Sequence, residues 1–387
     1  MIIGIPKEIL KGEKRVSATP QTVKKMINDG HQVLVEKGAG VNSFYLDKEY
    51  IDAGALLIED VQELYKKAEV ILKVKEPQYN ENVGRCEMEM MKNDAILITF
   101  LHPANHSNHK MVKKLVDKGI TSFTLDGVPR ISRAQSMDAL SSMSTCAGYK
   151  GVMIAANSLP KFMPMIGSAV GTIRPSNVLV VGCGVAGLRA IATARGLGAQ
   201  VYAADIREEA VEQAKSLGAR IIELFIPREI AVSSDGKHAN SLPKKYLEIE
   251  REQLKDAVKN ADIIILSALV FGKEAQILVT EEMVKTMKPG SYIVDISIDQ
   301  GGNCALTKAA EIIETYGVKI DGTKNIPGMI PQSSTYMFSE NVYNFFSYLV
   351  RNNKLNLDMD DEIISSTIVT LNHKLMHKGT IEAMNHD

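Results

Sequence analysis

The sequence predicts an α/β protein with two Rossmann-like, doubly wound parallel-sheet domains and a cleft between them. Short apolar runs alternate with helical patterns along most of the chain, which is typical of parallel sheets with helices on both faces. The 387 residues exceed the roughly 250 to 300 at which one hydrophobic core stops growing. A glycine-rich turn between an apolar run and a helical pattern adds the signature of a nucleotide-binding crossover.

The first domain is predicted to begin at the N-terminus. Its elements are, in order, the strand IIGIPK, a helix near 20 to 29, the strand HQVLVEKG, a helix near 59 to 67, the strands AEVILKVKEP and AILITFLH, a helix near 107 to 118, and the strand ITSFTLD. Residues 139 to 159 form one long helical pattern that joins the two domains. This helix is expected to start the second domain.

The second domain is predicted to be a Rossmann fold inserted into the first. Its strands are VLVVG, QVYAAD, ARIIEL, DIIILSAL, SYIVDIS and VKIDG, with helices between most of them. After Gly322, two prolines and a new spacing indicate a loop and a helix that returns to the first domain. The predicted domains are therefore 1–138 plus 329–387, of a catalytic or substrate type, and 139–328, which binds the nucleotide. Residues 227–250 are polar and too long for a routine connection, so they form either a mobile loop or a partner contact.

The turn GCGVAG carries a specific chemical signal. Gly182 would permit a tight turn, Gly184 would let the backbone approach a pyrophosphate, and Gly187 would let the helix pack on the strand. Asp205 ends the next apolar run, 23 residues after Gly182, where a carboxylate accepts the adenosine ribose hydroxyls. This favours NAD over NADP, because Asp205 would repel a 2′-phosphate even with Arg207 nearby. The complete predicted NAD(H) site is Gly182, Gly184, Val185, Ala186, Gly187, Asp205, Ile206, Arg207, Ala268, Leu269, Asp299 and Gln300.

Composition narrows the class of protein. A formal net charge of -1 and 45% hydrophobic residues are ordinary for a soluble globular protein and give no basic surplus for nucleic acid. The start MIIGIPKEI lacks the features of a signal peptide, and no apolar stretch reaches about 18 residues, so a cytoplasmic protein is expected. The scattered cysteines, without a CxxC, indicate neither a metal site nor a disulfide framework.

Polar residues follow several strands at the sheet edge where α/β proteins bind ligands. They are Arg15, Lys75, His102, Asp299 and Gln300. Arginine and lysine can hold a carboxylate, histidine can exchange a proton with a carbonyl or amine, and an aspartate can activate water. Together they describe a site for a small 2-amino or 2-oxo acid. The structural alternatives are a surface charge for the arginine, a strand cap or a pair with Glu76 for the lysine, a helix start for the histidine, and a turn for the aspartate.

The segment PRISRAQSMDALSS is a further candidate site. Arg130, Gln135 and Asp138 lie at spacings of five and three near the start of the long helix. An arginine, an amide and a carboxylate on one loop could fix a nicotinamide carboxamide and its ribose, because the carboxamide both donates and accepts hydrogen bonds. The structural alternative is that Asp138 or Ser136 caps the helix while the arginines are solvated.

With these motifs the chain resembles, over essentially its whole length, the family that joins alanine dehydrogenases to the NAD(H)-binding alpha subunit of proton-translocating NAD(P) transhydrogenase. Features shared by the whole family are GIPKE with RVSATP, GCGVAGLRAIATARGLGA, MKPGSYIVDIS and GGNC. PRISRAQSMDALSS is similar to the transhydrogenase loop that holds the nicotinamide, and this assigns that role to Arg130, Gln135 and Asp138. The 227–250 segment and MDDEIISSTIVT also resemble transhydrogenase. The resemblance implies hydride transfer between NAD(H) on this chain and NADP(H) on a partner subunit, coupled to proton translocation by membrane-spanning subunits.

Other motifs resemble the alanine dehydrogenases. Lys75 in KVKEP, His102 in FLH, Arg15 and Asp299 in DQGG are similar to their substrate residues, and QSSTYMF is also similar. The implied alternative reaction converts L-alanine, NAD and water to pyruvate, ammonium and NADH. Arg15 and Lys75 would hold the carboxylate, His102 would contact the reacting centre and Asp299 would assist water.

The resemblance favours the transhydrogenase alpha subunit, because the nicotinamide loop is a long contiguous match. It implies a homodimer or a higher homo-oligomer and no nucleic-acid partner. The expected location is cytoplasmic, or the inner face of the cytoplasmic membrane through partner subunits. A third alternative is a non-catalytic subunit that binds NAD(H).

Overall fold

The chain forms two compact units. The computed structural model describes residues 1–233, 239–270, 274–351 and 353–385. One unit consists of Met1–Met143 with Gly328–Asp387, and the other consists of Ser144–Pro327. The prediction of an α/β protein with two domains is confirmed.

Strands and helices alternate through the first 143 residues. The strands are β1 (Ile2–Ile5), β2 (Gln32–Glu36), β3 (Leu56–Ile58), β4 (Val70–Leu72), β5 (Tyr79–Asn80), β6 (Arg85–Cys86), β7 (Ile96–Thr99) and β8 (Thr121–Thr124). The helices are α1 (Pro20–Asn28), α2 (Asp47–Asp52), α3 (Val61–Lys67), α4 (Glu87–Met90) and α5 (His109–Asp117), followed by the long α6 (Ala139–Ser158). The start of α1 shows the local cause: the Thr19 side chain accepts a hydrogen bond from the Thr22 N–H at 3.3 Å, and Pro20 takes the first helical position.

Residues 144–327 hold a second set of elements. The strands are β9 (Ile166–Ser168), β10 (Gly171–Ile173), β11 (Asn177–Val181), β12 (Gln200–Ala204), β13 (Arg220–Ile221), β14 (Ile263–Leu266), β15 (Tyr292–Asp295), β16 (Ile312–Thr315) and β17 (Val318–Asp321). The helices are α7 (Val185–Gly196), α8 (Glu208–Ser216), α9 (Arg228–Ala231), α10 (Lys244–Asn260) and α11 (Glu281–Lys285). The remaining residues then return to the first unit.

The C-terminal part of the first unit begins with a long helix. Its elements are α12 (Pro331–Leu349), β18 (Val350–Arg351), β19 (Lys354–Leu355), α13 (Glu362–Thr367), β20 (Ile368–Leu371), β21 (Lys374–Leu375) and α14 (Lys378–Asn385). The large sheet of this unit has the order β21-β20-β8-β7-β4-β1-β2-β3. The strands from β8 to β3 pair in parallel, whereas β20 and β21 are antiparallel to their neighbours. The carboxyl ends of β1, β4 and β7 therefore lie side by side.

The sheet of the second unit has the Rossmann order β13-β12-β11-β14-β15-β17-β16. Its strands are parallel except for β16, which is antiparallel to β17. Val178 and Val180 of β11 pack into one buried cluster, and Leu179 and Val181 pack into another. Since alternate side chains of a strand point to opposite faces, both faces of this sheet are covered, as a doubly wound fold requires.

Antiparallel strands at the sheet edges are not predicted from the sequence. Strands β16 and β17 are joined through Tyr316 and Gly317, and strands β20 and β21 through Asn372 and His373. All four residues have positive φ angles between 47° and 72°. Two consecutive residues of this conformation make the tight turn that suits a two-residue hairpin, so the partner strand must run antiparallel.

The segment 227–250 is only partly a loop, which corrects the expectation for it. Arg228–Ala231 form the short α9, and α10 begins at Lys244 and buries Glu250, Leu254 and Val258. The spacing of four residues between these buried positions gives α10 one covered face, while its other side chains are polar. Residues 234–238 of the segment lie outside the described residues.

Candidate functional site

The glycine turn lies at the carboxyl end of β11 and leads into α7. Gly182 has a φ of 89°, in the left-handed region that favours glycine, and a Cβ there would lie 2.5 Å from the backbone nitrogen of Ala268. A Cβ on Gly187 would lie 1.9 Å from the Gly182 carbonyl oxygen. A Cβ on Gly184 would meet no protein atom within 4 Å. The turn needs two of its glycines for its own shape, and the third leaves open space where phosphates could approach.

Asp205 follows β12, and its buried carboxylate holds the glycine turn. The backbone N–H of Cys183 donates to Oδ2 at 2.7 Å. Arg207 donates to the same carboxylate from its backbone N–H at 2.8 Å, from Nε at 3.0 Å and from a terminal guanidinium nitrogen at 2.9 Å. A ribose diol would therefore share the carboxylate with Arg207 or displace it. Arg207 is engaged by Asp205 and does not form a separate cationic site for a 2′-phosphate.

The loop after β14 is fixed by Asn303, a residue that enters the sequence-based site only as part of the GGNC motif. The Asn303 side-chain oxygen accepts a hydrogen bond from the Ala268 N–H at 3.0 Å, and its amide nitrogen donates to the Ala268 carbonyl oxygen at 2.9 Å. Ser267, on the same loop, donates from its hydroxyl to the Gly182 carbonyl oxygen at 2.8 Å. Asn303 thus fixes a loop that packs directly on the glycine turn. A polar amide beside two glycines was the available signal for it.

Asp299 and Gln300 lie in a 3-10 turn, Ile296–Gln300, that follows β15. Both side chains are exposed. At the start of this turn, the buried carboxylate of Asp295 accepts hydrogen bonds from the backbone N–H of Asn303 at 2.8 Å and of Cys304 at 3.0 Å. Asp295 therefore fixes the chain beyond the turn and leaves the two predicted residues available to a ligand.

The described residues of this unit fit a dinucleotide at the carboxyl ends of β11, β12 and β14. The open space at Gly184 and the carboxylate of Asp205 follow adjacent strands, where a pyrophosphate and an adenosine ribose would be held. The other predicted cofactor residues flank these groups: Val185 and Leu269 are exposed, and Ala186, Ile206 and Ala268 are half-buried.

In the other unit, Arg15 is buried and is not a surface charge. Its Nε and one terminal nitrogen donate to the Glu13 carboxylate at 2.7 and 2.5 Å, and the other terminal nitrogen lies 2.8 Å from the Met143 sulfur. Burial raises the pKa of Glu13, but the charge and hydrogen bonds of Arg15 lower it by more, so this pKa lies below its ordinary value. A substrate carboxylate would compete with Glu13 for the guanidinium.

The two lysines of KVKEP have different surroundings. The ammonium of Lys73 is buried and lies 2.9 Å from the Glu87 carboxylate and 3.3 Å from that of Glu8. Burial lowers the pKa of Lys73, but the two carboxylates raise it above its ordinary value. Lys75 is half-buried, and its charge acts to lower the pKa of His102. The motif predicts a role for Lys75 but gives no sign of the buried cluster around Lys73.

We expect Glu8→Gln to change how stability depends on pH. Burial raises the pKa of Glu8 to about 7, while the charge of Lys73 lowers it and those of Glu87 and Glu13 raise it. The folded protein therefore keeps a proton that the unfolded chain, with a pKa near 4.5, releases more readily. The stability from this proton is complete below about pH 4.5 and is lost as the pH rises through about 7. Glutamine is uncharged throughout and removes this loss.

Denaturant unfolding at two pH values measures the effect. The free energy of unfolding of Glu8→Gln should exceed that of the wild type by about 1 to 3 kcal/mol at pH 8 and differ little at pH 4. Glu59→Gln changes an exposed carboxylate and serves as the control. A Glu8→Gln variant that is less stable than the wild type at pH 8 would contradict the expected ionisation.

His102 follows β7 and pairs with Asp126. Its Nδ1 lies 2.9 Å from Asp126 Oδ1, and its backbone N–H donates to Oδ2 at 2.8 Å. Burial lowers the pKa of His102, but the charge of Asp126 raises it by more, so this pKa lies above its ordinary value. The pair favours a protonated ring, 42% exposed, that can donate a hydrogen bond to a carbonyl or carboxylate oxygen. Asp126 is absent from the sequence-based site because it lies 24 residues away along the chain.

Around the 3-10 helix Ser132–Met137, the predicted nicotinamide residues Arg130 and Gln135 are exposed. Asp138 caps α6, since its two oxygens accept hydrogen bonds from the Ser141 N–H at 2.8 Å and from the Ser141 hydroxyl at 2.6 Å. This is the structural role that the sequence left open for Asp138. A carboxylate has about four acceptor positions, so the cap leaves Asp138 able to accept a further bond.

None of the helices in the described ranges combines the length and the hydropathy that a membrane crossing requires. Comparison with known proteins then decides the family. The family described as "Alanine dehydrogenase/PNT, N-terminal domain" matches residues 4–147, and "Alanine dehydrogenase/PNT, C-terminal domain" matches residues 151–378. The chain belongs to the alanine dehydrogenase/PNT family. The resemblance inferred from the motifs is confirmed.

Two curated relatives and a solved structure illustrate this membership. The chain is 38% identical over 379 residues to an NAD(P) transhydrogenase subunit alpha chain of Rhodospirillum rubrum, covering 97% of this chain and 98% of that one. It is 32% identical over 391 residues to the alanine dehydrogenase of Methanococcus maripaludis, covering 99% and 96%. The crystal structure of transhydrogenase from Sinorhizobium meliloti superposes with a TM-score of 0.83 at 34% identity, covering 98% and 99%.

Both kinds of relative are NAD-dependent oxidoreductases, and this class is therefore established for the chain. Its cofactor is NAD(H), as the glycine turn and Asp205 predict. The roles of individual residues stay predictions at this point.

Proposed function

We propose that the chain is the NAD(H)-binding alpha subunit of a proton-translocating NAD(P) transhydrogenase. The observation that carries this proposal is the loop PRISRAQSMDALSS, on which Arg130 and Gln135 are exposed while Asp138 is fixed at the start of α6. A guanidinium and an amide within five residues of each other suit a carboxamide ring, which needs donors and acceptors together. The identity of 38% to the transhydrogenase subunit, against 32% to the alanine dehydrogenase, supports the same assignment.

In this function NAD(H) supplies the hydride, which is exchanged at the nicotinamide ring. The glycine turn and Asp205 would bind the phosphates and the adenosine ribose. Arg130 and Gln135 would orient the ring, with Asp138 fixing the end of their loop. No side chain has to remove a proton from a substrate, so the catalytic effect comes from the proximity and orientation of two nicotinamide rings.

This function requires other chains. A partner subunit would bind NADP(H), and membrane-spanning subunits would translocate protons and hold this chain at the inner face of the cytoplasmic membrane. The chain itself would form a homodimer or a higher homo-oligomer. Residues 139–328 would bind NAD(H), and residues 1–138 with 329–387 would form the second, catalytic domain.

A second candidate function is NAD-dependent alanine dehydrogenase, and the His102–Asp126 pair favours it. A protonated His102 beside half-buried Lys75 suits a 2-oxo acid, whose carbonyl and carboxylate oxygens both accept hydrogen bonds. The unpartnered buried oxygen of Glu76, next to Lys75 in the chain, adds an acceptor that a substrate ammonium could use. Against this function, Arg15 is engaged by Glu13.

One set of assays separates the two functions. The purified chain should oxidise no NADH with pyruvate and ammonium. Cell membranes that contain the proposed partners should transfer hydride from NADH to NADP+ with this chain present, and should lose that activity when the gene is deleted. NADH oxidation that depends on pyruvate and ammonium, and that Lys75→Ala abolishes, would establish the alanine dehydrogenase instead.

A further inference from the structure

The 3-10 helix Ser132–Met137 is tied to the C-terminal part of its own unit through Arg133. One terminal nitrogen of Arg133 donates to Asp361 Oδ2 at 2.7 Å and to the Tyr348 hydroxyl at 2.8 Å. The second terminal nitrogen lies 3.4 Å from Asp361 Oδ1, and the Tyr348 hydroxyl donates to Oδ2 at 2.5 Å. The three side chains therefore form a closed cluster in which each contacts both others.

A second tie holds the same short helix by its backbone. The carbonyl oxygen of Ser136 accepts hydrogen bonds from the side-chain amides of Asn341 at 2.9 Å and of Asn344 at 3.2 Å, both on α12. Asp361 is itself fixed, because its Oδ1 accepts the Ile363 N–H at 2.7 Å at the start of α13. The helix is thus attached to two elements that are far from it in the sequence.

The two ties lie along one edge of the helix. A 3-10 helix has about three residues per turn, so residues i and i+3 lie above one another. Arg133 and Ser136 therefore share the anchored edge, while Ser132 and Gln135 share a different edge. Gln135 is exposed, as expected for a residue away from the anchor. The anchor thus fixes the rotation of the helix and, with it, the direction of Gln135.

We propose that Arg133, with Asp361 and Tyr348, is a positioning residue that fixes the loop presenting Arg130 and Gln135 to the nicotinamide ring. This inference rests on the proposed transhydrogenase function. The Arg133 side chain is 50% exposed and that of Asp361 is 14% exposed, so their pair contributes little to global stability. Its loss should loosen the loop without unfolding the unit.

The test compares Arg133→Ala and Arg133→Lys with the wild-type chain. Amide hydrogen exchange of residues 130–137 in the purified protein should become roughly tenfold faster in Arg133→Ala, because the loop opens more often. In membranes that hold the partner subunits, the kcat for hydride transfer from NADH to NADP+ should fall roughly tenfold, while the affinity for NADH changes by less than about threefold. Arg133→Lys keeps the charge and should recover some of both losses.

A matched control is Lys25→Ala, which breaks an ion pair of 2.7 Å with Glu340 on the same α12 but leaves the loop contacts intact. It should leave loop exchange and kcat unchanged. The inference would be overturned if Arg133→Ala kept wild-type loop exchange, or if kcat and NADH affinity fell equally. A wild-type chain without any hydride transfer would refute the proposed function, and the loop exchange would then still decide whether Arg133 is the anchor.

Discussion

Gly184→Ala is expected to lower the affinity for NADH by roughly thirtyfold or more, about 2 kcal/mol, while leaving the stability of the protein unchanged. The added methyl group meets no protein atom within 4 Å, and the residue has an ordinary φ of -75°, so the fold should accept it. The methyl group would instead fill the space through which a pyrophosphate approaches the backbone. Fluorescence titration with NADH measures the affinity, and thermal unfolding measures the stability.

Two other glycines of the same helix provide controls. At Gly187 a Cβ would lie 1.9 Å from a carbonyl oxygen, so Gly187→Ala should lower both the Tm and the NADH affinity. At Gly196, near the end of α7, a Cβ meets no atom within 4 Å, and Gly196→Ala should change neither. If Gly184→Ala bound NADH as tightly as the wild type, the phosphates would not lie on this turn, and both candidate functions would lose their cofactor site.

The fold and the glycine turn could be predicted because their signals are local. The apolar runs of β11 and β14, and the glycine spacing, lie within short stretches whose geometry depends on neighbouring residues. The edge hairpins escaped because Tyr316–Gly317 and Asn372–His373 are weak turn signals without their positive φ angles. The polar pattern of 227–250 concealed the start of α10, since most of its side chains are exposed.

The candidate site was predictable in its chemistry but not in its pairings. Arg15 stands in the polar string KGEKR, which suggests a solvated charge, yet the fold buries it on Glu13. Likewise, Lys73 and Lys75 are equivalent in composition, and only the positions of Glu8 and Glu87 distinguish them. Such contacts join residues that are distant along the chain, so they follow from the topology and not from any local pattern.

Gln135→Ala is expected to lower the rate of hydride transfer roughly a hundredfold while changing NADH affinity by less than about threefold. The exposed amide can both donate to and accept from a carboxamide, and its loss would let the ring rotate away from the productive geometry. Binding should persist, because the glycine turn and Asp205 hold the other end of the dinucleotide. Stopped-flow transfer from NADH to NADP+ with partner-containing membranes, together with NADH titration, measures both quantities.

The two matched variants test the chemistry of the amide itself. Gln135→Glu keeps the length of the side chain but replaces the amide donor with a charged acceptor, so it should lose nearly as much rate as alanine. Ser132→Ala alters the residue on the same edge of the 3-10 helix, three positions earlier, and should keep the wild-type rate. Equal losses of rate and affinity in Gln135→Ala would assign this residue to general binding. A wild-type rate would remove it from the site, and the proposal would then depend on Arg130 and Asp138.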